Sequence, residues 1–222
     1  MTKLQWEALA YTPYLCAVKE GDEQHADWLL PDNTNALEAL FERISAVSSI
    51  AGPAYWHARI CELVMWQPHY LGVIAYYKRT ELPNFDTLKQ RITNTFISGY
   101  DVEELSIPQN QRLSYIATGL TSMRHFYADE ITRRFALSTR FCLSLWQDNF
   151  FSLLDRVCRE NQLNVDDEFH LWGNAFDIPP RRIQRLLENS PFQRSTCCHA
   201  YQCEQGKYCD NCPKRVELLK RA

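Results

Sequence analysis

The chain has 222 residues, 45% of them hydrophobic and 13% aromatic, with a formal charge of −3. That length suits one full domain, or a domain with a small appendage, and the apolar content excludes a disordered chain. The mild acidity offers nothing to a nucleic acid partner, and no stretch approaches the roughly 18 uninterrupted apolar residues of a membrane span.

Taken in chain order, Met1–Tyr11 carries Glu7 and does not read as a secretory leader, so a soluble, cytoplasmic protein without an integral membrane segment is expected. Pro31–Thr34 reads as a loop, after which Asn35 and Glu38 form a candidate capping pair. Leu37, Leu40, Phe41, Ile44 and Val47 then recur at helical spacing until Gly52-Pro53 stops the run. Ala54–Tyr77 is helical again, with a break or kink expected at Pro68. Arg91–Ile97 has strand composition, and Gly99 and Pro108 bracket a loop after it. Between Gln111 and Glu160 apolar residues return every three or four positions, which predicts two long core helices bent near Ser138-Thr139. Asp166–Ala175 predicts a shorter helix, and Pro179-Pro180 opens a last one that Ser190-Pro191 ends. The fold class is therefore mainly α-helical, with an α+β variant if the central strand pairs. A short, irregular, cysteine-rich loop follows at the C-terminus, and Pro213–Ala222 has room for one or two helical turns.

The nine cysteines fall into two groups. Cys16, Cys61, Cys142 and Cys158 are scattered and read as small buried hydrophobes. Cys197, Cys198, Cys203, Cys209 and Cys212 crowd into sixteen positions, a density that signals ligation. The stretch 191–222 holds six Lys or Arg against three Asp or Glu, a net of +3, which leaves −6 on the rest. A basic tail on an acidic body suits an anionic ligand or an acidic electron donor, and equally a solvated basic helix end.

Three chemistries compete for the tail. Cys209-x-x-Cys212 has the spacing of a zinc knuckle, but adjacent side chains of an extended chain point apart, so Cys197 and Cys198 fit one small ion poorly. A zinc site from Cys198, Cys203, Cys209 and Cys212 would leave Cys197 over. A two-iron cluster is a larger target and relaxes the demand, so spacing alone favours iron–sulfur over zinc slightly. A redox disulfide is the weakest reading, because its motif belongs in a βαβ unit that this sequence does not suggest.

The pattern Cys-Cys-x10-Cys-x2-Cys, set in Arg194-Ser195-Thr196-Cys197-Cys198-His199-Ala200-Tyr201 through Tyr208-Cys209-Asp210-Asn211-Cys212-Pro213, resembles that of the FhuF family of ferric siderophore reductases. The resemblance covers about a tenth of the chain. It implies a [2Fe–2S] cluster with Cys197, Cys198, Cys209 and Cys212 as cofactor-binding and metal ligands, and no catalytic residue separate from the cluster. Cys203 has no place in that motif. It further implies a siderophore-binding body over 1–190, a cluster-binding segment over 191–222, and a cytoplasmic oxidoreductase. The expected partners are a ferric siderophore of hydroxamate type and an external donor such as a ferredoxin, flavodoxin or flavin reductase, since no Gly-rich nucleotide loop is present. Phe192, Tyr201, Tyr208, Trp172, Arg181 and Arg182 are candidate substrate neighbours. The competing functions are a binding module with a structural zinc and an iron or redox sensor.

Overall fold

The computed structural model describes residues 12, 15–18, 27–30, 33–78, 81–188, 192–204 and 206–215. Among them six α-helices surround one core: α1 (Ala36–Val47), α2 (Pro53–Lys78), α3 (Arg112–Phe135), α4 (Thr139–Asn161), α5 (Val165–Ala175) and α6 (Pro180–Leu187). The central helix is α2, packed on α1, α3 and α4. Its sequence explains the position. Ile60, Leu63, Val64, Leu71, Val73 and Ile74 are buried on several sides, and a helix apolar nearly all round has no face to give to water. Pro68 sits inside α2 without ending it, so the expected break is not made.

The long periodic stretch resolves into α3 and α4. Ala136 adopts a left-handed conformation (φ 51°) that closes α3, and α4 begins after Ser138. Asn164 caps α5 by accepting a hydrogen bond from the Asp166 amide, with Asp166, Asp167 and Glu168 favourably placed in its first turn. Pro180 opens α6 as expected, since its missing N–H is one that the first turn leaves unpaired. At Gly173 a Cβ would run into the Ile183 side chain; this close approach is what seats α6 on α5.

The strand content exceeds the single strand that composition suggested over Arg91–Ile97. β1 (Asp27–Leu29), β3 (Lys89–Thr93) and β4 (Phe96–Asp101) form an antiparallel sheet in the order β1-β3-β4, its hairpin turned at Asn94 with φ 51°. β2 (Glu81–Pro83) and β5 (Glu104–Ser106) pair separately. The stretch expected as a loop between Gly99 and Pro108 therefore contains the end of one strand and all of another. Short strands of this kind escape a period-two search because too few residues alternate.

The capping pair at α1 is not formed. Asn35 makes no side-chain cap bond, and Glu38 instead pairs with Arg134 of α3 at 2.8 Å. Tertiary charge pairing has won over the local motif. Cys61, Cys142 and Cys158 are fully buried, as expected of scattered cysteines, whereas Cys16 is only half-buried; the Cys61 and Cys142 sulfurs lie 3.0 Å apart. Ser190-Pro191, Pro31-Asp32, Met1–Tyr11 and residues 216–222 lie outside the described residues. Of the last expected helix, 213–215 are helical.

Candidate metal centre

The cysteine segment has few apolar side chains with which to hold itself to the body, and polar groups do that work. Asp148, on α4, is 1% exposed. Its carboxylate accepts hydrogen bonds from the Ser195 amide at 2.9 Å, the Ser195 hydroxyl at 3.0 Å and the Thr196 amide at 2.6 Å. Burial raises the Asp148 pKa, while the bonds from Thr196 and Ser195 and the charge of Arg194 pull it back. Arg194 is itself buried. Its guanidinium binds Glu62 of α2 at 3.0 Å and Asn149 of α4 at 2.5 Å, and its amide binds the Asn211 carbonyl at 3.1 Å. Asn211 in turn donates to Ser152 of α4 at 3.0 Å. The tail is thus fastened immediately before Cys197 and immediately before Cys212.

The fastening brings the four motif cysteines into one neighbourhood. The Cys198 and Cys209 sulfurs are 3.3 Å apart; Cys197 interacts electrostatically with Cys212 and Cys198, and Cys209 with Cys198 and Cys212. His199 has φ 58°, the left-handed turn that follows the adjacent pair, and its amide points at the Cys197 sulfur at 3.4 Å. Cys198 is held down to about 6, first by the Cys209 thiol donating to it and, against desolvation, by the Ala200 amide and Arg194. Cys209, the donor of that pair, is pushed up. Burial raises Cys197, opposed by the His199 amide and Lys214.

Cys203 interacts instead with Tyr55 in the first turn of α2, whose hydroxyl pKa is raised first by burial and then by Cys203. The Gly206 amide is spent on the Cys203 carbonyl at 2.7 Å, and a Cβ there would collide with the Ala200 and Cys203 carbonyls, so this tight turn demands glycine. Lys214 donates to Tyr201 at 2.8 Å, and Tyr201 stacks on Tyr208 with centroids 4.8 Å apart.

Two cavities border the segment, on opposite faces of α4. Residues 149, 152, 153 and 156 face a cavity of about 670 Å³ walled also by Trp66, Tyr70, Phe96 and Phe192, and closed by Asp210 and Asn211 of the tail. Residues 140, 143, 144 and 147, half a turn away at 3.6 residues per turn, face a second cavity with Arg181 and Arg182. Of the candidate substrate neighbours, Phe192 thus lines the first cavity, Tyr201 and Tyr208 belong to the cysteine loop, and Trp172 is a core residue donating to Tyr77 at 3.0 Å.

Sequence reading missed Asp148, Asn149 and Glu62. Asp148 did leave a signal, since it interrupts the apolar run of α4, and an ionised carboxylate in a core stripe needs a buried partner. Glu62 and Asn149 left none.

Among the described residues no three His, Cys, Asp or Glu side chains are arranged to hold a single metal ion. The donor set, sulfur from both ends of one loop with amides aimed at Cys197 and Cys198, fits an iron–sulfur cluster. Residues 194–214 match the family model of the FhuF 2Fe-2S C-terminal domain. No solved structure matches the chain. The match begins at Arg194, which binds the helical body, and ends at Lys214, which bonds Tyr201 within the segment; over this tail the chain is similar to a domain that binds a [2Fe–2S] cluster.

Proposed function

We propose that this protein is a ferric-siderophore reductase, in which Cys197, Cys198, Cys209 and Cys212 hold the cluster and the helical body holds the substrate. When bound, a [2Fe–2S] cluster supplies a one-electron relay. The observation that carries the reading is the position of Asp210 and Asn211. They lie between Cys209 and Cys212 and also wall the aromatic cavity. A ligand in that cavity is therefore in contact with the segment that bears the sulfurs.

The lining fits a neutral or weakly charged chelate. Trp66, Tyr70, Phe96 and Phe192 give it apolar walls, and its charged residues, Arg59 and Arg156 against Glu62, Asp155 and Asp210, leave a net of −1. A ferric tris-hydroxamate is neutral at the metal, whereas a tris-catecholate is a trianion that would meet three carboxylates. Reduction adds one electron to the substrate Fe³⁺ and breaks no covalent bond. The Fe²⁺ so formed is a poorer match for hard oxygen donors and leaves the siderophore intact. Arg194 and Asp148 position the sulfurs throughout, and Asn211 keeps the segment against the cavity. No helix among the described residues is long and apolar enough to cross a membrane, and the reading puts the reaction in the cytoplasm, where reduced carriers are available.

The test is anaerobic. Wild-type protein should carry iron and acid-labile sulfide in equal amounts, and its reduced visible spectrum should reoxidise on adding a ferric hydroxamate. Cys209→Ser should lose the spectrum and the turnover together, while Cys203→Ser keeps both. Colourless wild-type protein holding zinc would overturn the reading, as would a coloured protein that reduces no ferric chelate.

A further inference from the structure

The second cavity, of about 1070 Å³, lies between α4, α6 and the tail. Arg140 of α4 and Arg181, Arg182 and Arg185 of α6 line it, and no Asp or Glu is among its lining residues. In a chain of net charge −3 this is a concentrated positive field. The heads of Arg140, Arg181 and Arg182 are exposed.

Its floor holds unspent donors. Gln147 lines the cavity at 7% exposure, and its amide Nε2 is buried without a hydrogen-bond partner. The Nε of Arg194, another lining residue, is likewise buried and unpartnered. Buried donors of this kind cost free energy unless an acceptor arrives, and no Asp or Glu lines the cavity to supply one. The site also has a functional address: Thr196 and Pro213, which line it, are the residues directly before Cys197 and directly after Cys212.

We propose that this arginine-lined cavity is the docking site for an acidic one-electron donor protein, a small iron–sulfur or flavin carrier whose surface carboxylates enter it. The inference rests on the reductase reading and adds the donor's route. The aromatic cavity on the opposite face of α4 is given to substrate, so a donor bound here leaves it open, and substrate and donor can be held at once. The arginines favour a protein over a single small oxyanion because they are spread over two helices with their heads in solvent, a pattern that steers encounter with an extended acidic surface. In the transfer the donor is oxidised by one electron and this protein is reduced by one; no proton moves and no bond is made.

Binding can be read without turnover. Oxidised flavodoxin, an acidic carrier, is titrated by calorimetry into the oxidised holoprotein at rising salt. The wild type should bind, with affinity falling as salt increases. The double substitution R181E/R182E, and independently Arg140→Glu, should each weaken binding at least tenfold and flatten the salt dependence. All of these side chains are exposed, so folding is preserved. Cluster reduction by the small cationic methyl viologen radical should not slow in any variant, while reduction by flavodoxin slows in parallel with binding. Equal affinity in wild type and variants would overturn the proposal. So would phosphate or citrate binding at the cavity with no flavodoxin binding in the wild type, which would make it a small-oxyanion site. Failure of the viologen-reduced protein to reduce ferric hydroxamates would instead remove the reductase reading, and the titration would still report on docking.

Discussion

The helical body and the cysteine segment are held by different physics. The body is apolar: Phe150 packs edge-on against Phe151 and Phe176 and lies 5.1 Å from Trp172, and α2 is buried along most of its length. The segment is attached by a buried carboxylate, a buried guanidinium and two amides, at Asp148, Arg194, Asn149 and Asn211. Apolar packing is non-directional and tolerates adjustment, whereas hydrogen bonds to a charged acceptor fix position within a few tenths of an ångström. The proposed role of the segment, gathering four sulfurs, needs the second kind of attachment. The core needs only the first.

That contrast can be broken from either side. Phe150→Ala should give the largest stability loss, about 3–5 kcal/mol as for other buried aromatics. Protein that remains folded should keep its iron and sulfide, as measured by thermal melting alongside iron and sulfide analysis. Asp148→Ala leaves the Ser195 and Thr196 amides without an acceptor, at a cost of about 2–4 kcal/mol by the desolvation penalty of each. This smaller loss should fall on the tail: the helical melt shifts less than in Phe150→Ala, but cluster retention drops sharply. Equal cluster retention in both variants would erase the distinction. The smallest effect concerns a site remote from the segment. Glu130 of α3 is bound by Arg133, Thr34 and Arg134, which lower its pKa from its ordinary 4.5 to about 2. A depressed carboxylate contributes stability that is present above its unfolded pKa and lost as pH falls through the folded one. The stability gap between wild type and Glu130→Gln should therefore close between pH 4.5 and 2, seen in paired melts. Because Arg133 is well exposed, solvent screening keeps this gap to a fraction of a kcal/mol.

The sequence was most legible where one period ran long. The stripes of α3 and α4, the proline start of α6 and the short α5 are local signals, and each appears where expected. It was least legible where partners are distant in the chain. Glu38 abandons a local cap for Arg134, 96 positions away, and β2 finds β5 across a hairpin. The metal centre divides in the same way. Its cysteines and the Arg194-Ser195-Thr196 lead-in stand out in the chain as written, but the carboxylate that receives Ser195 and Thr196 lies 47 and 48 residues earlier. Nothing within a short window could have named it, although its intrusion into an apolar helix marked it as unusual.

The recognisable domain at 194–214 is therefore not a self-sufficient building block. Half of its anchorage, at Glu62, Asp148, Asn149 and Ser152, belongs to helices that the match does not cover. Grafting the motif alone onto an unrelated scaffold would transplant the ligands without their foundation. A host would have to present an acid and an amide side by side with a hydroxyl one turn on, and a second carboxylate on a neighbouring helix, before the graft could take.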